Sequence, residues 1–287
     1  MFKEIEKLLD NNRFDYYLGF GGVGDALITL ASAWGNPKAH IIFFGYNGVL
    51  VEEFFRTFGI PAHVLPHILG NPLAPDRRAF QTLESLKKVI TIQPSGHMPE
   101  NLRYQEWFEN EDKYVARIVN SIPEWRDKFG RIDKKLVVIA PTGSTRDVAR
   151  QRFITLHEFQ TLVIRYLAKG YEVYGIGSEA DGKNYAMPGV WWATHDSLRH
   201  WRGGVTQHKL CDLLKIINSA EEVVSMDTWL KTYSLLVGVP TTVIATRWHG
   251  KYKPWGEDFN DWIFINKKIW PNLTVSRIED MLNAKPI

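Results

Sequence analysis

The sequence predicts an α/β protein made of two doubly wound, Rossmann-like units with parallel sheets. Three observations carry that expectation. The chain has 287 residues, which at about 150 residues per domain is two domains. Strand-length apolar runs alternate with longer amphipathic segments in both halves, as crossover helices on parallel sheets require. A glycine-rich loop also joins the first strand to the next helix.

Residues 2–10 have helical amphipathic spacing. Residues 15–20 are an apolar strand that runs into Gly21-Gly22-Val23-Gly24-Asp25. Helix composition follows at 26–34 and stops at Gly35-Asn36-Pro37. A strand at 40–44, a helix at 49–58 ended by Gly59 and Pro61, and a strand at 62–65 complete a βαβαβ pattern. Residues 66–96 are rich in Pro, Gly and His, with a helix expected at 76–87 and a strand at 89–92; another helix is expected at 104–121. Residues 123–135 are polar and precede a new apolar run, so the expected domains are 1–135 and 136–287.

In the second half a strand at 136–140 leads into a polar loop at 141–153. Thr155-Leu156-His157-Glu158 is a capping box opening a helix that Gly170 ends. Strands are expected at 171–176, 190–193, 222–226, 241–245 and 263–265, and helices at 207–218, 229–237 and 275–284. Gly177-Ser178-Glu179 reads as a loop, and 247–261 as a polar loop containing tryptophans.

Apolar residues are 45% of the chain and charged residues 23%, which excludes disordered and fibrous classes. The formal charge of +3 is too small to mark a nucleic-acid binder by itself. A single cysteine, Cys211, excludes an internal disulfide and a multi-thiolate metal site. The N-terminus lacks the apolar core of a signal peptide. The stretch 16–34 carries glycines and a central Asp25, costly in hydrocarbon. A cytoplasmic protein without membrane insertion is the expectation.

Gly19-Phe20-Gly21-Gly22-Val23-Gly24 satisfies G-x-G-x-x-G between strand and helix, where backbone amides bind a diphosphate. A dinucleotide site also needs a carboxylate at the end of the next strand, and Phe43-Phe44-Gly45-Tyr46-Asn47 has none. Asp25, at the helix N-terminus, would oppose a bound pyrophosphate. A dehydrogenase is therefore a distant reading. Asp25 suits a general base on a ligand-facing edge, or it simply caps the helix.

Three second-half loops at strand ends carry polar side chains. The first, 142–152, holds Ser144, Thr145, Arg146, Arg150 and Arg152, a set suited to phosphate oxygens or to a solvated surface. In the second, Glu179 is placed to accept ribose hydroxyls. In the third, Asp227 and Thr228 meet a sugar while helix amides meet phosphate, or they are caps. All follow parallel strands and so share one sheet edge. Residues 1–135 hold 17 basic and 17 acidic side chains and 136–287 hold 18 and 15, so the net charge falls in the half proposed to bind diphosphate.

With these motifs in hand, the chain resembles the heptosyltransferase-like glycosyltransferases, family nine of the sugar-transfer enzymes, with the GT-B architecture of two facing Rossmann-like domains. Gly21-Gly22-Val23-Gly24-Asp25 looks like the family loop whose aspartate acts as catalytic base. The segment 224–240, with Asp227, Thr228, Gly238 and Pro240, looks like the family's donor motif. The 142–153 loop is similar to its phosphate loop, with Arg150 or Arg152 in the lysine's role. Trp229 stands where the family has glycine and Thr232 where it has histidine, which implies an altered sugar pocket.

The resemblance implies inverting transfer from a nucleoside-diphosphate sugar to a saccharide hydroxyl resembling a lipopolysaccharide core. An N-terminal acceptor domain would carry Asp25, a C-terminal domain would bind the donor, and no metal or other cofactor would be required. A second reading is transfer to a 5-hydroxymethylated DNA base, as in viral enzymes, with Arg77-Arg78, Lys87-Lys88, Arg199-His200-Trp201-Arg202 and 247–253 as contacts. A third is a non-catalytic sugar-nucleotide or glycan-binding protein. His195, His200 and His208 read as loop or surface residues. Most of the eleven tryptophans read as core or cleft wall.

Overall fold

The computed structural model describes residues 14–45, 48–66, 89–91, 122–143, 153–195, 206–226, 228–245 and 272–283. The chain divides into two compact units, Met1–Ile118 and Val119–Ile287. The helices expected at 2–10, 76–87 and 104–121, and the strand at 263–265, lie outside the described residues.

In the first unit β1 (Asp15–Gly21), β2 (Ala39–Gly45), β3 (Ala62–Pro66) and β4 (Val89–Thr91) form a parallel sheet in the order β3-β2-β1-β4. Helices α1 (Val23–Ala33) and α2 (Gly48–Phe58) are the crossovers. Every residue of β2 is buried, which explains the apolar run Ile41–Phe44, because a strand covered on both faces has no solvent side to alternate with. Phe43 of β2 meets Phe55 of α2 edge to face, with centroids 5.8 Å apart. Gly19 has a packing role: a Cβ there would overlap Thr29 Oγ1 and the Phe43 ring. Without a side chain at 19, α1 packs directly on β1.

The second unit contains α3 (Pro123–Lys128), β5 (Leu136–Ala140), α4 (Leu156–Ala168), β6 (Glu172–Ile176), α5 (Glu179–Asn184), β7 (Val190–His195) and β8 (Thr206–His208). It continues with α6 (Leu210–Ser219), β9 (Glu222–Ser225), α7 (Trp229–Leu236), β10 (Thr241–Ala245), β11 (Leu273–Arg277) and α8 (Ile278–Asn283). Its sheet is wholly parallel in the order β11-β10-β9-β5-β6-β7-β8. On one face Val137, Ile139, Val173, Trp192, Val224 and Ile244 pack with Phe159, Leu162 and Val163 of α4 and Ile278 of α8. On the other, Trp125 of α3 stacks on Tyr233 of α7 with centroids 6.4 Å apart.

Residues 123–133, read from sequence as the end of the first domain, pack in the second unit. Asn218, fully buried, donates to the carbonyls of Trp125 (3.3 Å) and Arg126 (2.9 Å) and accepts from the Tyr233 hydroxyl at 3.0 Å. The Ile122 amide also donates to Leu236 O at 2.7 Å. With the division between Ile118 and Val119, the second unit carries 23 basic and 18 acidic side chains and the first 12 and 14. The separation is +5 against −2, wider than a boundary at 135 gives.

Three element assignments are corrected. The expected helix 275–284 begins as β11, paired with β10, and turns helical at Ile278. The helix expected from 207 begins at Leu210, because 206–208 pair with β7 as the edge strand β8. The loop at Gly177-Ser178-Glu179 runs straight into α5.

Candidate functional site

In the first unit β1 has β2 on one side and β4 on the other, so its carboxyl end is a point where strand order reverses and where open α/β sheets leave a crevice. The glycine loop leaves from that point. Gly21 sits at φ 129°, a conformation that only glycine adopts without strain. Gly22 is the N-cap of α1 and has no side chain to offer, and Gly24 lies in its first turn. Asp25 caps from inside the helix instead, its Oδ2 accepting the Gly22 amide at 2.8 Å. The Thr29 hydroxyl donates to the Asp25 carbonyl at 2.9 Å. Asp25 is thus a half-buried carboxylate fixed in the first turn of a helix, where the helix dipole favours its charge.

In the second unit the strand order reverses at β5, which lies between β9 and β6. The Met226 amide donates to Ala140 O at 3.2 Å, and Ala140 pairs with Ser225. The loop after β9 therefore starts beside the loop after β5. Across β5, the Thr142 hydroxyl donates to Asp181 Oδ1 at 2.8 Å and joins that loop to the one after β6. The three polar loops expected on one edge follow three neighbouring strands.

Thr228 is the N-cap of α7, its hydroxyl accepting the Leu230 amide at 3.2 Å. Trp229, in the position where the resembling family has glycine, is half-buried at the first turn, and Thr232 is 5% exposed. Glu179 is only 3% exposed at the start of α5. Ser144, Thr145, Arg146, Arg150, Arg152 and Asp227 lie outside the described residues, as do Arg77-Arg78, Lys87-Lys88, 199–202 and 247–253.

Asp181 was not singled out from the sequence, although Ser178-x-x-Asp181 is a readable capping signature. Ser178 Oγ accepts the Asp181 amide at 3.2 Å, while Asp181 Oδ2 accepts the Ser178 amide at 2.7 Å and its hydroxyl at 2.6 Å. Beside it a pocket of about 470 Å³ is lined by Thr142, Gly143, Phe153, Leu156, Asp181 and Tyr185 among others. The Tyr185 hydroxyl donates to Ile154 O at 2.6 Å, and burial pushes its pKa up to about 12.

His195 departs from the surface expectation. His195 ends β7 at 2% exposure, and its backbone pairs with that of His208 in β8; His200 lies outside the described residues. Among the described residues no three His, Cys, Asp or Glu side chains gather as a metal site would require. None of the helices among those residues is long and apolar enough to cross a membrane. Trp125 and Trp192 are core residues, whereas Trp191 is 62% exposed.

Fold and site together define a two-unit, doubly wound α/β protein with a switch-point crevice in the second unit and a Gly-Asp loop in the first. The sequence matches no family model and no curated protein. Among solved structures, E. coli heptosyltransferase WaaC with ADP-2-deoxy-2-fluoro heptose matches at TM-score 0.53 and 14% identity, covering 91% of this chain and 92% of that one. The same enzyme with ADP matches at TM-score 0.52 and 13% identity over the same shares. The fold is that of the heptosyltransferases, GT-B in class, as the sequence motifs imply.

Proposed function

We propose that the chain is an inverting glycosyltransferase moving a sugar from a nucleoside diphosphate to a saccharide hydroxyl. One observation carries the reading: β9, β5 and β6, the strands from which the polar loops leave, are neighbours where the strand order reverses, and Thr142 and Asp181 join the starts of two of those loops, at the edge on which such sheets bind nucleotides. The +5 charge of that unit supports a polyanionic ligand there. The ADP and ADP-linked sugar held by the two matched structures support a nucleoside-diphosphate donor.

In this reaction the acceptor oxygen bonds to the anomeric carbon as the bond from that carbon to the diphosphate oxygen breaks. Asp25 takes the acceptor proton, and the nucleoside diphosphate leaves. Ser144, Thr145, Arg146, Arg150, Arg152 and the amides opening α7 offset the charge on the leaving group. Asp227 and Thr228 hold the sugar and Glu179 the ribose. With those cations present the step needs no metal, and activity is expected to persist in EDTA. The −2 charge of the first unit favours a saccharide acceptor over DNA, because a phosphate backbone is bound by positive charge.

The test is a thermal-shift screen of nucleoside diphosphates and their sugars, followed by transfer assays with the donor that binds. A ligand at 100 times its Kd adds about 2.7 kcal/mol of stability, a clear rise in Tm. No shift with any nucleotide, and no sugar transfer, would refute the proposal.

A further inference from the structure

We propose that Asp181 is a positioning residue for the donor site: it latches the loop after β5 to the loop after β6 and so sets the affinity for the nucleoside diphosphate. The inference rests on the glycosyltransferase reading for its ligand, but the latch itself is geometric. Both Asp181 oxygens are used. Oδ1 accepts the Thr142 hydroxyl at 2.8 Å across the switch point, and Oδ2 accepts the Ser178 amide and hydroxyl at 2.7 and 2.6 Å.

The bonds are to a charged acceptor and part-buried, the class that contributes most among side-chain hydrogen bonds. Two further features are fitted to them. A Cβ on Gly177 would stand 2.7 Å from Asp181 Oδ2 and 3.0 Å from its Cβ, so glycine there lets the carboxylate lie over the end of β6. Thr142 also bridges Phe153 antiparallel. The backbone that the latch holds on the β5 side is therefore where the loop that leaves β5 closes on itself before α4. On the β6 side the latch fixes the turn that carries Glu179.

The experiment compares Thr142→Val, Thr142→Ser, Asp181→Ala and the double variant Thr142→Val/Asp181→Ala in the full chain. Affinity for ADP and UDP is measured by calorimetry, with steady-state KM and kcat. Without the latch, affinity is expected to fall about tenfold in Thr142→Val, the size of one charge-assisted hydrogen bond. Thr142→Ser, which keeps the hydroxyl, should restore it. The donor KM should rise while kcat at saturating donor holds within about threefold, and the double variant should bind no worse than Asp181→Ala, because Asp181→Ala already removes the bond that Thr142→Val removes.

Normal binding by Thr142→Val beside weak binding by Asp181→Ala would overturn the latch, since Asp181 would then act through its Ser178 bonds or on the ligand and not through Thr142. Additive losses in the double variant would overturn it too. A ligand-free readout separates this from the function. Amide exchange at Gly143 and Glu179 should quicken in Thr142→Val and not in Thr142→Ser. If wild type binds no nucleotide, the proposed function fails while exchange still decides the latch, and unchanged exchange overturns it.

Discussion

Replacing Asp25 by asparagine separates its two roles, because the roles need different chemistry. As a cap, Asp25 needs an acceptor oxygen within reach of the Gly22 amide, 2.8 Å away, and the asparagine amide oxygen supplies one. As a base it needs a carboxylate that takes a proton, which an amide cannot do at neutral pH. Asp25→Asn should therefore cost less than about 1 kcal/mol of stability, the loss of a charge near a helix N-terminus. Sugar transfer should fall by about 10²- to 10⁴-fold, the range of general-base catalysis. Asp25→Ala should lose as much rate and about 1 kcal/mol more stability, because the cap goes as well. Rates are read as nucleoside diphosphate released with acceptor present, and stability by urea unfolding. Turnover within tenfold of wild type in Asp25→Asn would remove Asp25 from the mechanism. A rate loss that follows stability across the two variants would show that only the cap matters.

Asn218→Ala should destabilise the second unit by about 3–5 kcal/mol in urea unfolding, since it leaves two carbonyls and the buried Tyr233 hydroxyl without this partner; a loss below about 1 kcal/mol would mean that water replaces the amide. Gly175→Ala should cost about 1–3 kcal/mol by overpacking, because a Cβ would stand 2.7 to 2.8 Å from three atoms of the Trp192 indole, and unchanged stability and tryptophan emission would refute the contact. Tyr185, raised to about 12 by burial and by the nearby Asp181 and Glu158 charges, keeps its proton in the native state after the unfolded chain loses its own near 10. Stability should fall as pH rises from about 10 to 12, and Tyr185→Phe should lessen that slope by one proton's share, with Tyr166 and Tyr233 supplying the rest. An unchanged slope in that variant would mean that Tyr185 does not hold its proton in the native state over this range.

Strands buried on both faces were legible from sequence, and those at an edge were not. Residues 39–45 and 136–140 are buried throughout and contain the apolar runs Ile41–Phe44 and Leu136–Ala140, so their limits came within a residue or two. Thr206–His208 and Leu273–Arg277 sit at opposite edges of the second sheet. The first is three polar residues with no run to find. The second alternates as Leu273-Thr274-Val275-Ser276-Arg277, and its Val275 and Arg277 fit a helix equally well until the pairing with β10 decides. Helix α3 was hidden by its charge, although Pro123 at its start and the buried Trp125 were usable signals. Helix α5 was hidden by its length of six residues, too short for any apolar period.

The candidate site was legible in its placement and illegible in its division of labour. Asp25, Asp181 and Thr228 all cap helices, and in open α/β sheets the helix that follows a strand starts at the ligand-binding edge. A residue that caps such a helix is therefore held at that edge, with its rotamer fixed by the backbone, as a functional side chain must be. Asp, Ser and Thr serve both purposes, so composition cannot tell them apart. Conservative substitution can. Thr228→Ser keeps a hydroxyl for the Leu230 amide and for a sugar, so it should retain both stability and turnover. Asp25→Asn keeps only the cap. If Asp25→Asn were as active as Thr228→Ser, capping alone would account for Asp25, and the catalytic base would have to be sought elsewhere in the chain.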